Sequence, residues 1–162
     1  MTNIAQHAFS TRNKVTVLSD GSKLSSSDFD NKCKFDIHRF DQIKFLRKRI
    51  KSSFAQNFLN KNKIDIIFFD SWKSLELFNN TTDIKKICLA YGNEILKLRN
   101  KQRILNSFNK ADLIIFNSQF TKNKTFKNFK NLKKFNYKII YPAFIKKISK
   151  IKIIRKNMIY VL

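Results

Sequence analysis

Chemistry in a chain of this kind belongs where an apolar run gives way to polar side chains, and several runs here do so in the same manner. Lys14-Val-Thr-Val-Leu-Ser-Asp20 ends on a carboxylate before Gly21, and Ile64-Asp-Ile-Ile-Phe-Phe69 is followed by Asp70 and Trp72. Lys86-Ile-Cys-Leu-Ala-Tyr91 runs into Gly92, Asn93 and Glu94, and Ala111-Asp-Leu-Ile-Ile-Phe116 stops at Asn117 and Ser118. If the runs are parallel strands, their carboxyl ends are where ligands collect. The Tyr91 phenol can hydrogen-bond a hydroxyl group, but a pKa near about 10 makes it a poor base at neutral pH. Each position also has a structural use. Glu94 suits the first turn of a helix, where its charge meets the dipole. Asn117 or Ser118 can cap a helix by accepting from its free amides, Asp70 and Trp72 can anchor a loop, and Tyr91 can simply pack at a strand end.

Other common chemistries find no pattern. His7 and His38 lack the clustered partners that a metal site requires, so no metal is expected. There is no P-loop, no Cys-x-x-Cys and no Gly-x-Ser-x-Gly.

The elements that must position these residues are legible in the hydropathy. Strand-like runs fall at 14–19, 34–40, 64–69, 86–91, 111–117 and 137–141. The runs 64–69 and 113–116 are apolar at nearly every residue, as in strands covered on both faces. Helical periods lie between them. Residues 41–61 place Ile43, Leu46, Ile50, Phe54 and Phe58 near one stripe, expected to cover the sheet, with Lys44, Arg47, Lys48 and Lys51 opposite. A second helix is expected over 94–109 and a third over 119–134. The alternation predicts an α/β fold: a doubly wound, mostly parallel, Rossmann-like sheet with helices on both faces.

A chain of 162 residues suits one domain, and 43% hydrophobic residues with 17 Phe will fold. Lys and Arg number 34 against 11 acidic residues, a formal charge of +23. Much of that excess is Lys, which together with Asn, Ile and Phe is what an A+T-rich genome encodes most readily. The surface will still attract nucleic acid or anionic lipid, non-specifically and most strongly at low salt. Cys33 and Cys88 lie far apart, consistent with a reduced, cytoplasmic protein. No apolar run has signal-peptide length at the N-terminus or approaches the roughly 18 residues of a membrane span.

In their order and spacing, Asp20-Gly21, Asp70 with Trp72, Tyr91-Gly-Asn-Glu94, the 111–122 segment and Tyr137-Lys-Ile-Ile-Tyr-Pro142 resemble the N-terminal, acceptor-side domain of a family 4 type glycosyltransferase, half of a GT-B fold. The resemblance runs from about 14 to 143. It implies transfer of a hexose from a nucleotide-sugar, UDP- or GDP-linked, to a glycan or lipid acceptor. Asp20, Asp70, Trp72, Gly92, Asn93, Glu94, Asn117 and Ser118 would then face the acceptor. Tyr91 occupies the position where many members carry a histidine near the reacting sugar. The family's first strand and Gly-rich loop have no counterpart before Lys14, and the donor-binding domain is missing. Residues 1–143 are therefore expected to form the acceptor-side domain, and 144–162 to begin a linker and a further domain, with 158–162 its first strand. An alternative is that 158–162 packs back on its own domain. No donor would be bound by this chain, which would be inactive alone and would need a separately encoded partner domain. With its central first strand missing, the chain is expected to be poorly stable or partly molten.

Two readings without catalysis compete. One is a basic nucleic-acid-binding module, although the Phe residues fall at core spacing instead of among exposed cations as stacking platforms do. The other is peripheral attachment to the inner face of an anionic membrane through Lys44, Arg47, Lys48 and Lys51.

Overall fold

Short β-branched and aromatic runs separated by polar, helix-forming segments leave the chain one economical arrangement, a parallel sheet covered by its own crossovers. The computed structural model describes residues 2–78, 83–95, 100–129, 134–142 and 157–161. In chain order the elements are α1 (Thr2–Ser10), β1 (Lys14–Asp20), α2 (Lys23–Lys32), β2 (Asp36–Phe40), α3 (Lys44–Lys61), β3 (Ile66–Phe69) and α4 (Trp72–Glu76). They continue with β4 (Lys85–Ala90), α5 (Gly92–Ile95), α6 (Lys101–Phe108), β5 (Leu113–Phe116), α7 (Gln119–Asn128), β6 (Tyr137–Ile139) and β7 (Asn157–Val161). The strands form one sheet in the order β2-β1-β7-β3-β4-β5-β6, and every pairing is parallel. The α/β fold with a Rossmann-like sheet is as the sequence predicts.

Register explains the division of the core. One row crosses all seven strands, His38, Leu18, Val161, Phe69, Cys88, Ile114 and Tyr137. Because side chains alternate along a strand, Ile67, Ala90, Phe116 and Phe40 share that face. They pack with Ala55 of α3, Trp72 and Leu75 of α4, Ile104 and Phe108 of α6, and Phe129 just after α7. The intervening residues Val15, Val17, Ile37, Phe68 and Met158 look the other way, against Ala5 and Ala8 of α1.

Three expectations change. Six strands were read within the domain, and the seventh, β7, read as opening a further domain or packing back on its own, does the latter and occupies the centre. The segment expected to open a further domain pairs with β1 from Lys14↔Asn157 to Leu18↔Val161 and with β3 from Ile66↔Met158 to Phe69↔Val161. The boundary expected at 143 therefore does not part the last strand from the sheet, and the slot expected to be vacant between β1 and β3 is filled. The reason is geometric: two parallel strands without a common neighbour leave two open edges, and one apolar strand satisfies both. The premise for a partly molten chain falls with it.

The second change concerns α3, whose first half is turned round. Ile43, Phe45, Leu46 and Ile50 are exposed, at 71, 67, 44 and 40%, while Lys51 and Ala55 are buried. The stripe faces the core only from Phe54 onward, where Phe54 lies 4.8 Å from the His38 ring and 5.5 Å from Phe40, with Phe58 6.2 Å from His38. The basic side of that half faces Asp20 instead. Thirdly, the helix expected over 94–109 is realised as α5 and α6, with 96–99 outside the described residues. Helix α7 ends at Asn128, and 130–133 and 143–156, with Leu162, likewise lie outside them. Helices α2 and α4 were not legible in the sequence.

Candidate functional site

The carboxyl ends of β1 and β3, with α5 after β4, meet α3 and α4 around a cleft of about 230 Å³. Three carboxylates line it, Asp20, Asp70 and Glu94. Asp20 is the last residue of β1 and shares the sheet face that α3 covers, since its register partner is Phe40. The chain then turns at Gly21, whose φ of +114° is in a region other residues rarely adopt, and its N–H donates to the Phe40 carbonyl at 3.0 Å.

Asp20 recruits the basic side of α3. Its Oδ1 accepts from Lys51 Nζ at 2.7 Å, and its Oδ2 lies 3.4 Å from Arg47 Nε. Arg47 and Lys51 are one helical turn apart and so reach a single carboxylate together. That pairing accompanies the roll of α3. With Lys51 only 7% exposed, desolvating its ammonium would cost several kcal/mol without a partner. The apolar residues one face away are left outside.

Lys44, Arg47, Lys48 and Lys51, expected as a solvent-facing membrane or polyanion surface, thus line the cleft instead. Lys73 of α4 adds a fifth cation and pairs with Glu94 Oε1 at 3.1 Å. Asp70 is different in kind. Its Oδ1 accepts from Ser74 Oγ at 2.6 Å and from Ser71 Oγ at 3.3 Å, with no ion pair among the described residues. Its Oδ2 has no protein partner among them.

The other sequence candidates stand elsewhere. Trp72 is 2% exposed and belongs to the core, so it anchors α4 and does not reach the cleft. Arg103 and Lys73 lie 5.4 and 5.8 Å from its ring. Ser118 is the N-cap of α7, accepting from the Thr121 N–H at 3.1 Å. Asn117 holds an enclosed Oδ1 with no partner among the described residues. Neither lines the cleft, nor do Tyr91 and Gly92, although Gly92 opens α5 and so carries Glu94 into place. The Asn93 side chain lies outside the described residues.

Burial first, and then the Asp70 carboxylate, raise the Tyr91 phenol above its ordinary value. Tyr91 is thereby removed further from the role of a base and kept as a neutral hydroxyl. Cys88 is fully buried, and desolvation with help from Asp70 and Glu94 holds its thiol far above the usual range, so it is no nucleophile. Among the described residues no group of His, Cys, Asp and Glu could hold a metal ion. None of their helices is long and apolar enough to cross a membrane.

What sequence reasoning missed are the hydroxyls and the countercharge: Ser52, Ser71, Ser74 and Lys73. The signal available was the i, i+4 spacing of Asp70 with Ser74 across a helix start. Comparison of the chain with family models, curated proteins and solved structures found no match.

Proposed function

We propose that this chain is the acceptor-binding domain of a sugar-transferring enzyme of the family 4 glycosyltransferase type, and that the cleft between α3 and α4 holds the acceptor. One observation carries the reading. Three carboxylates from separate βα junctions converge on one cleft beside serine hydroxyls, and Asp70 keeps an oxygen open. Vicinal hydroxyls of a sugar are bidentate donors, and a carboxylate with a free oxygen is their natural partner. Asp70 accepts from the acceptor hydroxyl, and Tyr91 stands outside the cleft. Lys44 and Lys48, without ion pairs among the described residues, favour an acceptor that also carries negative charge. The nucleotide-sugar donor, UDP- or GDP-linked, is brought by a second domain, so that the chain by itself binds acceptor and transfers nothing.

Saturation-transfer NMR and calorimetry of the purified chain against neutral and phosphorylated oligosaccharides test this. Binding is expected for a phosphorylated glycan, weakened about ten- to hundredfold by Asp70→Asn, the worth of a hydrogen bond to a charged group. No glycan binding, or binding indifferent to Asp70→Asn and Lys48→Gln, overturns the proposal.

A further inference from the structure

The roll of α3 that gives its basic side to Asp20 leaves an apolar surface with no covering element among the described residues. Ile43 and Phe45 are 71 and 67% exposed, and Leu46 and Ile50 continue the patch along the first two turns. Arg49 stands within it, its guanidinium 5.1 Å from the Phe45 ring. A helix exposing apolar side chains among cations is the pattern that lies in the interface of an anionic bilayer.

We infer that the first two turns of α3 are a docking surface for an anionic membrane, with Ile43, Phe45, Leu46 and Ile50 entering the acyl boundary and Arg49 meeting the headgroups. Three observations favour lipid over other occupants. The charge of +23 draws the chain to an anionic surface and opposes contact with a second, equally charged copy. A soluble polyanion would satisfy the cations but give Ile43, Phe45 and Leu46 nothing to bury against. The helix also begins at Ile43 with no side-chain cap and no acidic residue in its first turn, which leaves the positive end of its dipole facing the headgroup phosphates.

The inference reverses the surface read from sequence. Lys44, Arg47, Lys48 and Lys51 serve the cleft, and the apolar side chains expected in the core serve the membrane.

The experiment is flotation of the purified full chain with vesicles of phosphatidylcholine, with or without phosphatidylglycerol. Binding is expected only to the anionic vesicles. The double variant Phe45→Ser, Leu46→Ser should weaken it at least about tenfold, because two apolar side chains no longer leave water. Arg49→Glu should also weaken it, and more so at low salt. None of these residues lines the cleft, so circular dichroism and glycan binding should be unchanged. Failure here is thus separable from failure of the sugar reading. Anionic-vesicle binding insensitive to the double variant would make the attraction a generic effect of net charge and overturn the inference. So would no binding at all, or a concentration-dependent dimer in sedimentation that the double variant abolishes.

Discussion

At Glu76, two hydrogen bonds from Arg103, 2.7 Å from Nε and 2.8 Å from Nη2, hold the carboxyl below its ordinary 4.5. Desolvation opposes that shift, and the pair is partly exposed, so its worth is that of a bidentate surface bridge. Arg103→Gln is expected to cost about 0.5–1 kcal/mol at neutral pH. A carboxyl whose folded value is depressed contributes above its ordinary value and loses the contribution as pH falls through the folded one. The gap between parent and variant in urea titrations should therefore be full at pH 7 and shrink as the pH falls below 4.5. Tyr91 yields the opposite kind of expectation. Its phenol stays protonated across the physiological range and does not line the cleft, so Tyr91→Phe should change glycan binding by well under about tenfold, less than one neutral hydrogen bond. A much larger loss, or a pH dependence near neutrality that Tyr91→Phe removes, would contradict a role as neutral hydroxyl.

Elements are held at their ends more than their propensities suggest. Helix α7 is ten residues long and rich in Lys, Asn and Thr of weak preference, and its start depends on Ser118, whose Oγ accepts from Thr121 N–H and lies 2.9 Å from Thr121 Oγ1. Ser118→Ala should cost about 1 kcal/mol in chemical denaturation, and Ser118→Asp, which restores an acceptor, should recover most of it. Helix α4 has only five residues, too few to stand on backbone hydrogen bonds. It is fastened by the Trp72 and Leu75 side chains in the core and by Lys110, whose Nζ donates to the Glu76 and Phe78 carbonyls at 2.9 and 2.8 Å. In α3, Ala55 is wholly buried beneath the helix, so Ala55→Leu should overpack the sheet contact by about 1–3 kcal/mol, read as a lower denaturation midpoint.

For the whole molecule, β7 decides whether there is one sheet or two halves. It is hydrogen-bonded on both sides, to β1 and β3, and no pairing joins those two strands to each other. The chain is expected to unfold in a single cooperative thermal transition. Removal of residues 157–162 should broaden that transition and expose apolar surface to dye binding, because β1-β2 and β3-β4-β5-β6 would then lack a common neighbour. A truncated chain that melts as sharply and at the same temperature would show the central strand to be dispensable.

The sequence by itself determined the α/β class, the first six strands to within a few residues, and the polar positions at their carboxyl ends. These follow from local properties, since runs such as Ile66–Phe69 and Leu113–Phe116 are apolar throughout and stop at Asp, Asn or Ser. Tertiary structure decided which of those positions share a cleft. Asp20, Asp70 and Glu94 do, whereas Trp72 is spent on packing and Ser118 on a cap, because strand order and helix roll set which strand ends adjoin. It also decided the orientation of α3: periodicity showed two faces of unlike character but could not say which one the Asp20 carboxylate would claim. The place of β7 was beyond any local reading. Five residues far along the chain complete a sheet begun at Lys14 because parallel pairing is non-local, and an unpaired central slot costs more than the closure of a long loop.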